Sequence, residues 1–123
     1  MGLALLRVRA KVMLKITTLN GKKEQRLIVE GKLVESGVSE LELAWNQARQ
    51  HGHSRHTVVD LSGVIRIDPR GEAALMAMIA EGARLTSKGV YNKHLIKELV
   101  VRALEMYGSG NANSRSKPSS SGP

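Results

Sequence analysis

The apolar positions of this 123-residue chain change their period several times along its length. Residues 13–19 read Met-Leu-Lys-Ile-Thr-Thr-Leu, Asn20-Gly21 is a strong turn signal, and residues 26–31 resume a strand pattern, which together predict a hairpin. Between Val38 and His51 the apolar residues Val38, Leu41, Ala44, Trp45 and Ala48 recur at threes and fours. Ser39 with Glu42 reads as a capping box, so the pattern predicts a helix ending near Gly52. Thr57-Val58-Val59-Asp60-Leu61 is short, β-branched and bounded by Ser62-Gly63, as suits a central strand buried on both faces. After Val64-Ile65-Arg66-Ile67, Asp68 reads as an N-cap and Pro69 as the first residue of an Ala- and Met-rich helix running to about Glu81, with Gly82 as its stop. Residues 83–87 suit a short strand and Lys88-Gly89 a turn. From Asn92 a last helix carries Leu95, Ile96, Leu99, Val100, Ala103 and Leu104 on one face until Gly108.

The predicted order is therefore β-β-α-β-α-β-α. It implies an α/β fold, a small mixed sheet of four or five strands with helices packed against it. Residues 13–107 make the domain. Residues 1–12 form an N-terminal extension that can supply a further strand, and such a strand could pair with the sheet edge of a second chain to give a homodimer. Residues 108–123 are Gly, Ser, Asn and Pro with almost nothing apolar, a composition that reads as a disordered tail.

Charge changes this picture less than its size suggests. The formal net charge is +8, but Arg7, Arg9, Lys11, Arg115 and Lys117 lie in the terminal segments and leave the domain only mildly basic. Phe is absent and Trp45, Tyr91 and Tyr107 are the only aromatic residues, so stacking platforms for single-stranded nucleic acid are missing too. Nucleic acid is accordingly not the expected partner. Absence of cysteine excludes a disulfide scaffold, a thiolate metal site and a cysteine nucleophile. The longest apolar run, residues 73–80, is far short of a membrane span, and the first residues meet Arg7 before a signal-peptide core can form. These readings place the chain in the cytoplasm.

Candidate chemistry is sparse. His51, His53 and His56 cluster, but without a carboxylate, with Arg55 beside them and at no zinc spacing, so a solvated turn is expected and no metal. His94 stands alone on a helix. Asp60 and Asp68 could be read as an acid/base pair, yet a strand-end role and a cap role account for them. Ser62 lacks the glycine of a nucleophile elbow, and no phosphate-cradling glycine loop occurs, so neither enzymatic activity nor a cofactor is expected.

One stretch stands apart: Val59-Asp60-Leu61-Ser62-Gly63-Val64-Ile65-Arg66-Ile67-Asp68-Pro69-Arg70-Gly71, read as an exposed strand-to-helix loop. Its pattern resembles the signature of STAS domains, named for sulfate transporters and anti-sigma-factor antagonists. Residues 89–98 are similar to the start of the last helix in stand-alone bacterial members. The resemblance implies a non-catalytic, signalling protein-interaction module that regulates transcription by binding an anti-sigma factor or kinase-like partner. In typical antagonists the second serine of a D-S-S-G loop is phosphorylated, whereas the corresponding residues here are Asp68, Pro69, Arg70 and Gly71. The phosphoacceptor position is thus Arg70, and the usual switch is not expected. The implied partner-binding residues are Ser62, Asp68, Pro69, Arg70, Gly71 and Glu72. Arg70 would pair with an acidic partner surface, or else Glu72 or solvent would neutralise it. Alternatives within the resemblance are a scaffold subunit of a transporter or stress-signalling complex, and a nucleotide- or small-anion-binding protein using the helix start at Asp68.

Overall fold

The computed structural model describes residues 5–11, 14–51 and 56–108. Five strands form one mixed sheet in sequence order: β1 (Leu5–Lys11), β2 (Leu14–Asn20), β3 (Glu24–Leu33), β4 (His56–Ile67) and β5 (Arg84–Thr86). The first three are antiparallel neighbours, while β3, β4 and β5 run parallel. Helix α1 (Ser36–His51) crosses from β3 to β4, α2 (Pro69–Ala80) crosses from β4 to β5, and α3 (Val90–Ala103) follows, closing with a π-helical turn at Leu104–Gly108. Because both crossovers step the same way along the sheet and such connections are right-handed, α1 and α2 fall on one face. There α2 packs between α1 and α3.

The hairpin forms where the turn signal placed it, with Leu14 opposite Gly31 and Asn20 opposite Gln25. Alternation on β3 turns Leu27 and Val29 inward, where they meet Ile16 of β2, Val59 and Leu61 of β4, Leu41 and Trp45 of α1, and Leu75 and Met78 of α2. Trp45 buries its ring and donates its indole N–H to Glu81 at the end of α2, so its polar edge is satisfied. Gly82 at φ 108° lets α2 end in a Schellman motif, with Gly82 N–H on Ile79 and Ala83 N–H on Met78 carbonyls.

The N-terminal extension supplies the further strand, with Leu5–Lys11 pairing along the whole of β2. Other expectations are corrected. Helix α1 begins at Ser36 rather than after Ser39, which leaves Ser39 inside the helix and removes the capping box. Ser62-Gly63 does not end the central strand. β4 runs on to Ile67 because two bulges, one between Asp60 and Gly63 and one between Val64 and Arg66, let it keep its pairing with β3. Gly63 fits there because a Cβ would lie 2.9 Å from the Glu30 side chain. Helix α3 starts at Val90, two residues early, and Leu104 is 62% exposed instead of buried. The tail from 109 onward lies outside the described residues.

Candidate functional site

The carboxyl ends of the three parallel strands and the starts of all three helices share one end of the sheet. Asp68 organises that end. Its Oδ1 accepts the Gly71 N–H at 2.7 Å, capping α2, and its Oδ2 accepts the Glu35 N–H at 3.2 Å just ahead of α1. One carboxylate thereby ties two helix starts together and holds Glu35 in a left-handed conformation at φ 50°. The hydrogen bond from Gly71 is the main reason that the Asp68 carboxyl lies below the usual aspartate range. Partial desolvation opposes it, while the Glu35 N–H and the positive charge of Arg70 add to it. Pro69 occupies the first helical position, where a missing N–H costs nothing. Gly71 is buried against the end of β3, so close that a Cβ would sit 2.6 Å from the Leu33 carbonyl oxygen.

Arg70 is exposed on the first turn of α2, and its Nη2 reaches Ser39 Oγ on α1 at 3.5 Å. Glu72, the neighbour that could have neutralised it, is committed elsewhere: its Oε1 pairs with Arg102 Nη1 of α3 at 3.2 Å. Asp68, whose carboxyl feels the Arg70 charge, is already engaged by two backbone donors.

Ser62 belongs to a separate network. Its N–H donates to Asp60 Oδ1 at 2.9 Å, and its Oγ accepts the Lys88 N–H at 2.9 Å, tying β4 to the turn before α3. Asp60 also takes a 3.2 Å bond from Arg26 Nη1 on β3. Burial alone would push its carboxyl up, but the Ser62 hydroxyl and amide and the Arg26 guanidinium outweigh it and hold it below the usual range. Asp60 and Asp68 thus stand in two separate hydrogen-bonded networks, with no bond between them among the described residues. Of the six expected contact residues, the fold gathers Asp68, Pro69, Arg70, Gly71 and Glu72 at one helix start. Gly71 is buried there, and no bond links Ser62 to the group among the described residues.

The family model described as "Mlab, STAS domain" matches residues 17–110, most of the chain. The chain is a STAS domain. No curated protein matches it. STAS domains are generally non-catalytic and typically mediate protein interactions. Among the described residues of this one, no helix is long and apolar enough to cross a membrane.

The sequence pattern missed part of this end of the STAS domain. Asn92, buried in the first turn of α3, donates through Nδ2 to the carbonyls of Leu61 and Val64, both at 2.9 Å. It does for β4 beyond Asp60 what β5 does up to Asp60, satisfying carbonyls that have no strand beside them. This anchor holds Tyr91 and Val90 at the same end as Ile65, and all three are about three-quarters exposed. The bulges hide the signal, since an extra residue at Ile65 breaks the alternation that would have marked it as outward. Of the histidine cluster, His56 is exposed at the start of β4, His53 lies outside the described residues, and nothing is described of the His51 side chain. His94 is exposed on α3.

Proposed function

We propose that this STAS domain is an anti-sigma-antagonist-like docking module in the cytoplasm, whose contact surface is the first turn of α2 and which is not switched by phosphorylation there. The observation that carries the reading is Arg70. It projects from a helix start held rigid by Asp68, Pro69 and the jammed Gly71, and residues 68–72 contain no hydroxyl to phosphorylate. A phosphoserine at that place would put negative charge at the positive end of α2, whereas Arg70 presents the opposite sign. An exposed guanidinium with its local carboxylates engaged suits an acidic counter-surface on a protein partner. Pro69 and Glu72 would rim the contact, Asp68 and Gly71 would shape it, and Ser62 would act only by bracing β4.

A scaffold subunit of a transporter or stress-signalling complex would use the same surface. The missing hydroxyl favours that second reading, because permanent assembly needs no switch. Nucleotide or small-anion binding is disfavoured, since the amides at the start of α2 already donate to Asp68 and an incoming anion would have to displace it. No cofactor enters either reading. Homodimerisation through the outer edge of β1 belongs to the same proposal, because among the described residues β1 pairs with a strand on one side only.

The test is paired affinity capture with wild type and Arg70→Glu, followed by titration of the captured partner. We expect an anti-sigma factor, kinase-like protein or transporter ATPase on wild type, with at least about tenfold weaker binding by the variant. Equal affinity removes Arg70 from the interface. Phosphate found on residues 62–72 of protein from its native cell would overturn the unswitched reading.

A further inference from the structure

The sheet has an open edge at β5, and that edge faces a groove. β5 is bonded to β4 on one side and, as the last strand in the order, to no strand on the other among the described residues. Helix α3 runs beside it, and between them lies a groove of about 370 Å³ lined by Leu85, Thr86, Val90, Lys93, His94 and Lys97. Lys93 and Lys97 are one helical turn apart and so line up along the groove wall. Among the described residues none of Lys93, His94 and Lys97 pairs with a carboxylate. The groove thus combines unpaired strand backbone, an apolar floor and uncompensated positive charge. An open strand edge flanked by a helix is the geometry in which an extended peptide adds to a sheet, with main-chain bonds supplying affinity and alternate side chains supplying specificity.

We infer that this groove binds an extended acidic segment of a protein partner, which adds to the edge of β5 and sets its carboxylates against Lys93 and Lys97. Charge selects this occupant. The chain's own residues 109–123 carry Arg115 and Lys117 and no acidic side chain, and the β1 edge that a second copy would offer carries Arg7, Arg9 and Lys11 instead of carboxylates. A lipid surface would meet the lysines but leave the strand edge of β5 without partners. The inference goes beyond the α2 surface and uses none of its residues, so either can fail alone.

The experiment is fluorescence anisotropy of the full chain with a labelled peptide of alternating Glu and Val. We expect binding with Kd on the order of 10 μM. K93E/K97E, a double change of exposed side chains, should weaken it at least about tenfold and bind the matching Lys and Val peptide instead. N-methylation of alternate peptide bonds in the probe should abolish binding, because it removes the strand donors, and Arg70→Glu should leave binding unchanged. Absence of binding up to about 1 mM overturns the inference. So does equal binding of the N-methylated peptide. A K93E/K97E-sensitive attachment to phosphatidylglycerol vesicles with no peptide binding would overturn it in favour of a membrane surface.

Discussion

Helices α2 and α3 start at the same end of the same sheet, yet they are fastened by opposite means. α2 carries its fastening in three residues within one turn: Asp68 caps, Pro69 presets the first turn, and Gly71 allows contact with Leu33. α3 has Gly89 at its N-cap and no side-chain cap. It is held instead by Asn92, whose amide reaches across to Leu61 and Val64, and by the Ser62 hydroxyl on Lys88 N–H. The difference teaches that two helix starts of similar position can be local or wholly tertiary in origin. The local one presents a rigid charged turn, and the tertiary one leaves a groove beside it.

The comparison breaks hardest at Gly71. Gly71→Ala drives a methyl into the Leu33 carbonyl, backbone that cannot step aside, and should destabilise the domain by about 3 kcal/mol in denaturant titration. A loss within about 0.5 kcal/mol would mean that α2 shifts freely and is not jammed. Asn92→Ala should follow at about 2 kcal/mol, because two buried carbonyls lose their donor at once. Hydrogen exchange should show the loosening in the distal half of β4 and the start of α3, and leave α2 protected.

Acid sharpens the contrast more gently. Asp60 and Asp68 both have carboxyl pKa values depressed in the folded state, so the unfolded chain takes up protons first as the pH falls. Their stabilisation is complete well above the unfolded value of about 3.9 and is lost as the pH drops through it and below. Asp60→Asn and Asp68→Asn should each flatten the acid limb of a stability profile below about pH 5, and an unchanged limb would show that the bonds seen here are not retained in solution. Arg70→Glu should have the smallest effect on stability, within about 0.5 kcal/mol by thermal melting. A larger loss would make Arg70 a strut between α2 and Ser39 rather than a contact residue.

Legibility in the chain follows the same division. The cap, the proline and the stop at Gly82 were readable because each acts on residues within one turn of itself. The hairpin was readable because Asn20-Gly21 interrupts two strand patterns. What misled was Ser62-Gly63, which carries a turn composition and yet lies inside β4. Its amide and hydroxyl are satisfied by Asp60 and Lys88, and β3 stays alongside through two bulges. Ser39 and Glu42 likewise make a good capping box in a place where Asp68, more than thirty residues away in the chain, already sets the start of α1.

By itself the sequence determined the α/β class, the hairpin, the capped helix at Asp68 and the place of an arginine, Arg70, two residues after that cap. These depend on periodicity and on interactions a few residues long. Only the tertiary structure decided that β4 continues to Ile67, that Glu72 belongs to Arg102, that Asn92 stands in for a strand, and that a basic groove opens beside β5. Each of those joins groups some thirty residues apart or leaves an edge uncovered. Neither outcome has a local energy from which composition or spacing could reveal it.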